Sequence, residues 1–280
     1  MTNQLDAPIG VFDSGFGGLT VLRSLVEQLP NEDFLYLGDT ARAPYGPRSI
    51  AEVRRFALQG LDYLVERGVK ALVIACNSAS SAVLRDARER YDVPITEVIL
   101  PAASRAVAAT RNGRVGVVAT ESTVNSRSYD DAFAIAPHIT LTAQACPRFV
   151  EFVEAGITGG DELLEVAEEY LAPIKKSQDD TLILGCTHYP LLAGVIGYVL
   201  GNGVTLVSSA EACAQSTYSQ LTQAGLLRHQ PREATRTFLT TGDATDFRGI
   251  GRRLLGGFVS NATTVVIDRE ENTDVPEGDL

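Results

Sequence analysis

Short runs of valine, isoleucine and leucine recur along this chain, and a stretch with helical spacing separates each from the next. The runs fall at Pro8–Phe12, Phe34–Leu37, Ala71–Ala75, Ile95–Val98 and the segment from Val115. Ile139–Ala143, Thr181–Leu184, Val204–Val207, Arg236–Thr240 and Thr263–Ile267 complete the series. Between them, Gly18–Leu29 puts Leu19, Leu22, Leu25, Val26 and Leu29 on one side, and Ser49–Arg67 is a long amphipathic stretch. Further helices are expected up to Arg90, after Pro101, and at Ser122–Phe133, Phe149–Gly156, Glu162–Ile174, Leu191–Leu200 and Ala210–Gln223. Strands apolar along their whole length, alternating with amphipathic helices, specify an α/β fold whose mostly parallel sheets are covered on both faces. The tail from Asp268 is acidic and poor in apolar residues, so it reads as frayed.

In open sheets of this kind, ligands bind beyond the carboxyl ends of the strands. Five such ends carry polar clusters: "DSG" after the first strand, "GDTARAPYG" after the second, "CNS" after the third, "ATEST" after the strand at Val115, and "CTH" after Thr181–Leu184. Five convergent strand ends suggest one pocket. Two of them repeat a design, since Cys76 and Cys186 each close an apolar strand and precede hydrogen-bonding residues, Asn77-Ser78 and Thr187-His188. With 280 residues the chain can hold two domains, and the echo between its halves suggests a two-fold arrangement of similar units.

The two thiols are too far apart in sequence for a local zinc knuckle or a C-x-x-C redox pair. A thiolate at a strand end and helix N-terminus gains from the helix dipole and free N–H groups, so a lowered pKa is expected for both cysteines. Three chemistries use such a pair: a disulfide switch, a nucleophilic cysteine with a histidine partner, and acid–base work on opposite faces of one carbon. Cys146 and Cys213 lie outside the motifs and read as packing residues, as His138 and His229 do. "DSGFGG" allows backbone N–H groups to face an anion, but it lacks the lysine of a P-loop and the spacing of a dinucleotide fingerprint. The formal charge of −11 argues against binding nucleic acid or an anionic membrane. No apolar run reaches a membrane span, and the opening residues have no signal-peptide pattern, so a cytoplasmic location with free thiols is expected.

The segments "IGVFDSGFGGLTV", "YLGDTARAPYGPRS", "VIACNSASSAVL", "VGVVATESTVNSRSY" and "LILGCTHYPLL" resemble, in order, the motifs of the glutamate racemases of the aspartate/glutamate racemase superfamily. The resemblance spans Ile9 to Leu192. It implies two pseudo-symmetric α/β domains with the active site between them, the first formed by residues 1–100 and 212–280 and the second by 101–211. It also implies interconversion of L- and D-glutamate without pyridoxal phosphate, metal or nucleotide, to supply D-glutamate for peptidoglycan. Carried over by position, Cys76 is the base toward D-glutamate and Cys186 the base toward L-glutamate, supported by Asp13 and His188 respectively. Asp13 and Ser14 would help to hold the substrate. Pro44, Tyr45 and Gly46 match the segment that receives the side-chain carboxylate. Asn77, Ser78, Thr120 and Thr187 match polar groups around the amino-acid head, and Asp39 and Glu154 fall further out. This chain has Ser78 where the family usually has threonine, which keeps the hydroxyl and loses a methyl. A homodimer is expected. Some members bind and inhibit DNA gyrase, a point on which the sequence is silent. The chain has no long N-terminal extension like that of members activated by a peptidoglycan precursor, so no such activation is expected. Two alternatives stand beside this reading: a racemase for aspartate or another amino acid, and a non-catalytic amino-acid binder or thiol sensor.

Overall fold

A computed structural model describes residues 4–267, so the tail from Asp268 lies outside the described residues. Among the described residues, ten strands form two sheets. The first is built from β1 (Ile9–Asp13), β2 (Phe34–Gly38), β3 (Ala71–Ile74), β4 (Ile95–Glu97), β9 (Arg236–Thr240) and β10 (Thr263–Thr264). Its strand order is β10-β9-β2-β1-β3-β4, with all neighbours parallel. The second contains β5 (Arg114–Ala119), β6 (Thr140–Ala145), β7 (Thr181–Gly185) and β8 (Thr205–Ser208) in the order β6-β5-β7-β8, again all parallel. The order β2-β1-β3-β4 in one sheet is matched by β6-β5-β7-β8 in the other. Each sheet therefore reverses its winding beside its first strand, between β1 and β3 and between β5 and β7. A crevice opens at such a switch point.

Helices cover both faces of each sheet, which is why the central strands are apolar throughout. On one face of the first sheet, α1 (Leu19–Gln28) and α10 (Ser209–Gln223) bury Leu22, Leu25, Cys213 and Leu221 against Val11, Tyr36 and Val73. On the other face, α2 (Ile50–Val65) and α3 (Asn77–Arg90) cover Phe12, Leu37 and Ile74. The second sheet has α4 (Ile99–Ala109) and α6 (Ser128–Phe133) on one face. The other face is covered by α7 (Arg148–Glu154), α8 (Asp161–Ser177) and α9 (Ala193–Leu200). Among the described residues, no helix is long and apolar enough to cross a membrane.

Several expectations change in detail. The helix expected over Ser122–Phe133 is two pieces, α5 (Glu121–Asn125) and α6, separated at Arg127, whose φ of 56° is left-handed and cannot continue a helix. The strand expected at Thr263–Ile267 keeps ladder pairing only at Thr263 and Thr264. The helix expected after Pro101 begins at Ile99, with the proline inside the first turn, where its missing N–H costs nothing. A further helix, α11 (Ala244–Leu255), has no counterpart in the sequence reading. Gly249 and Gly251 disguised it, yet a Cβ on Gly251 would come within 2.8 Å of Val259, so close packing requires the small residue. Asp243 starts this helix by accepting the N–H groups of Thr245 and Asp246.

Candidate active site

Both crevices open into one cavity of about 220 Å³. Its wall includes Cys76 and Cys186, each about 6% exposed, so both sulfurs are buried from bulk water. Cys76 follows β3 and is the N-cap of α3, its sulfur accepting the Ala79 N–H at 3.4 Å. The thiol also donates to Ser14 Oγ at 3.3 Å. The lowering expected at a helix N-terminus is reversed here: burial, reinforced by the nearby Asp13 carboxylate, outweighs the Ser14 and Ala79 hydrogen bonds and pushes this thiol up to about 12. Cys186 follows β7, and its sulfur lies 3.7 Å from His188 Nδ1. The other ring nitrogen, Nε2, lies 3.2 Å from Glu154 Oε1. Burial opposes charge on this imidazole, but Cys186 and Glu154 outweigh it and raise His188 to about 10. Through the neutral range, then, a cationic imidazole sits between the Cys186 sulfur and the Glu154 carboxylate.

Two glycines of "DSGFGG" make the close approach possible. A Cβ on Gly17 would lie 2.2 Å from Thr187 Oγ1 and 2.6 Å from the His188 ring. One on Gly18 would lie 2.4 Å from Asp13 Cβ. Thr20 Oγ1 then donates to Thr187 O at 2.8 Å, tying α1 to the turn after Cys186. Asp13 is buried behind Ser14 rather than in the cavity wall; it accepts the Gly15 N–H at 2.9 Å through Oδ2, while Oδ1 has no hydrogen-bond partner. Burial raises its carboxyl, against the pull of the Gly18 and Gly15 N–H groups and of His188.

The remaining expected residues are brought together in large part. Ser14, Pro44, Tyr45, Gly46, Asn77, Ser78, Thr120, Glu154, Thr187 and His188 all line the cavity. Ser78 Oγ meets Thr120 Oγ1 at 2.9 Å, so the hydroxyl is the part of the side chain in use. Gly46 O accepts the Ser122 N–H at 3.0 Å, joining the loop after β2 to α5. Asp39 lies outside the wall, fully buried, and accepts from Arg42, from the Tyr45 hydroxyl and from Thr241 Oγ1. It thereby fixes Tyr45 and the loop that carries it.

Sequence reasoning missed several contributors. Pro147, Val150 and Glu151 line the cavity together with Glu154. The spacing 147, 150, 151, 154 is a single helical stripe, a signal that was present but not used. Tyr129 is a second miss: its hydroxyl donates to Asn77 Oδ1 at 3.0 Å, which leaves Asn77 Nδ2 buried and without a partner at the cavity. Such an orphaned donor is costly unless a ligand accepts from it. Arg253, on the unforeseen α11, lies outside the cavity and donates to Glu154 O.

The cavity is below the roughly 300–1,000 Å³ usual for drug-sized ligands and suits one small metabolite. A wider groove of about 450 Å³ runs along β4, α4 and α10, but it holds no cysteine or histidine. Among the described residues, no group of three or more His, Cys, Asp or Glu side chains is placed to hold a metal ion.

Comparison with known proteins places these features in a family. The model of the Asp/Glu/hydantoin racemases matches residues 9–217. The glutamate racemase of Parafrankia sp. (strain EAN1pec) is 65% identical over 252 residues, covering 89% of this chain and 91% of that protein. Glutamate racemase isoform RacE1 from Bacillus anthracis superposes with a TM-score of 0.90 at 38% identity, over 93% of this chain and 97% of its own. The Francisella tularensis subsp. tularensis SCHU S4 glutamate racemase, solved in complex with D-glutamate, gives a TM-score of 0.88 at 35% identity, over 94% and 99%. On this sequence and structural likeness, the chain belongs to the Asp/Glu/hydantoin racemase family, among its glutamate racemases.

Proposed function

We propose that this chain interconverts L- and D-glutamate by moving one proton off, and another onto, the two faces of the α-carbon with Cys76 and Cys186. The observation that carries this reading is the pair of buried thiols, one from each sheet's switch point, lining one small cavity. In the L-to-D direction Cys186 takes the α-proton as a thiolate, with the His188 cation beside it. Cys76, held as a neutral thiol by burial, returns a proton to the opposite face. The bond from Cα to hydrogen breaks toward Cys186, and the new one forms from the Cys76 thiol. The enzyme is then left with the proton arrangement that D-glutamate requires.

In the reverse direction Cys76 has to lose its proton. The substrate's α-ammonium group is a cation entering a site walled by Glu151 and Glu154, with Asp13 behind it. It supplies the positive charge that a Cys76 thiolate lacks in the empty site. The α-proton is a very weak acid, so the developing carbanion needs fixed donors in a water-poor cleft. Asn77 Nδ2 and the hydroxyls of Ser14, Ser78, Thr120 and Thr187 are the groups placed for this, with Pro44–Gly46 at the end that receives the side-chain carboxylate.

The same proposal covers the product's use in peptidoglycan synthesis, a cytoplasmic location and a homodimer. It also divides the chain into residues 1–100 with 212–280 and residues 101–211, because β1–β4, β9 and β10 share one sheet and β5–β8 the other. The boundary near 100 falls in the first turn of α4, whose buried residues Ala102, Ala103 and Ala106 pack with β5.

The test is a substrate scan with no added cofactor. L- and D-glutamate should each lose optical rotation, and aspartate should not. Cys76→Ser and Cys186→Ser should each lower kcat/KM by roughly 10²- to 10⁴-fold while the fold is retained. Full activity in either variant would overturn the two-thiol assignment.

A further inference from the structure

Glu154 is poorly placed to hold His188 unaided. It is the last residue of α7, a helix of seven residues, so its carboxylate sits at the negative end of the helix dipole. Its side chain is 39% exposed and could turn into water. Its backbone carbonyl is one of the terminal acceptors that a helix leaves without an internal partner.

Arg253 meets both needs. It projects from α11, and its Nη2 donates to Glu154 O at 2.9 Å. The stem crosses the turn that ends α7, where Gly156 has φ +79° and an added Cβ would come within 3.2 Å of Arg253 Cδ. α11 is itself anchored to the other half of the site. Phe247 is fully buried, with its ring 5.5 Å from Phe16 of "DSGFGG" and 5.9 Å from Tyr36. Tyr36 OH in turn donates to Gly15 O at 3.0 Å. A connected path therefore runs from the turn beside Cys76, through Phe16 and Phe247 and along α11 to Arg253, and on to Glu154, His188 and Cys186.

We infer that Arg253 is a positioning residue for proton transfer at Cys186, holding the end of α7 so that the Glu154 carboxylate stays on His188. The inference rests on the two-thiol reading above. Arg253 touches neither the cavity nor a sulfur, and it acts through Glu154 alone. It also ties the strand-end turn of one sheet to the catalytic histidine of the other, so the two halves of the cleft keep their register.

The test compares Arg253→Met, which keeps the stem and loses the donors, with Arg253→Lys, which keeps the charge. Arg253 is exposed, so both variants are expected to fold, which circular dichroism and Tm would check. The two enantiomers have equal free energy, so kcat/KM must fall equally in both directions, and the diagnosis lies in kcat and in isotope effects. Arg253→Met should lower kcat from L-glutamate about fivefold with little change in KM. The primary isotope effect with α-deuterated L-glutamate should rise, because transfer to Cys186 becomes more rate-limiting. Arg253→Lys should recover most of the loss. Wild-type kcat and isotope effect in Arg253→Met, or loss explained wholly by a lowered Tm, would overturn the inference. His188→Asn and Glu154→Gln serve as controls. If they too leave turnover unchanged, the reading of the Cys186–His188–Glu154 chain fails as well; if they are impaired while Arg253→Met is not, only the role of Arg253 fails.

Discussion

The sulfur of Cys76 has a hydroxyl and a backbone N–H beside it, while that of Cys186 has an imidazole 3.7 Å away. The surroundings are unequal although the motifs look alike. Burial and Asp13 hold Cys76 protonated up to about 12, and His188 keeps its charge up to about 10. At pH 7 to 8 Cys76 is therefore a neutral thiol, and the imidazole beside Cys186 is a cation. Iodoacetamide should label Cys186 before Cys76, by roughly tenfold or more, as read by peptide mass spectrometry. His188→Asn should remove the preference. Equal labelling of both thiols in the wild type would contradict the assignment of charge. At this scale the cysteines and the polar residues next to them were legible, because strand-end position and hydrogen-bonding neighbours are local features. Tyr129 was not legible: it reaches Asn77 across the cleft, and nothing in its own segment marks that contact.

At the scale of elements, the glycines of the first strand-to-helix turn matter for what they allow to approach. Gly17 makes room for the turn that carries Thr187 and His188. Gly17→Ala should displace that turn and lower kcat by roughly 10²-fold, with far less effect on Tm, because misplacement by about 1 Å suffices. Steady-state kinetics beside a thermal melt checks this, and wild-type kcat would refute the packing role. The strands were readable as apolar runs, and most helices from their spacing. α11 escaped because its two glycines mimic a loop, while the need for Gly251 is tertiary, in its contact with Val259. The break between α5 and α6 escaped because a left-handed arginine carries no compositional sign.

For the whole molecule, the return of the chain to the first sheet has to be secured far from the site. Asp33, just before β2, accepts from the Thr235 N–H and hydroxyl and pairs with Arg228 and Arg232. Burial works to raise its carboxyl, but the Thr235 hydrogen bonds and the two arginines lower it overall. A carboxyl lowered in the folded state stabilises above its unfolded value of about 4, and the stabilisation is lost as pH falls through the lowered folded value. Asp33→Asn should therefore unfold more readily at pH 7 and show a shallower loss of stability below about pH 4 than the wild type. Denaturant titrations at pH 7 and pH 3 would check this, and parallel curves would contradict it. The parallel sheets and the convergence of their strand ends were legible, because burial on both faces leaves a continuous apolar pattern. The single cavity between two sheets was only suggested by the repeated motifs, since no local pattern encodes how two sheets face each other.

The central claim, two thiols acting on opposite faces of one carbon, is tested most directly by racemisation in D₂O. L-glutamate and D-glutamate would each be followed from the first few per cent of turnover, with the α-position of both enantiomers read by NMR or mass spectrometry. The account predicts that the newly formed enantiomer carries deuterium at Cα while the unreacted enantiomer keeps its proton, in both directions. Deuterium accumulating in the unreacted enantiomer, or product retaining the original α-proton, would mean that one base serves both faces and would contradict it.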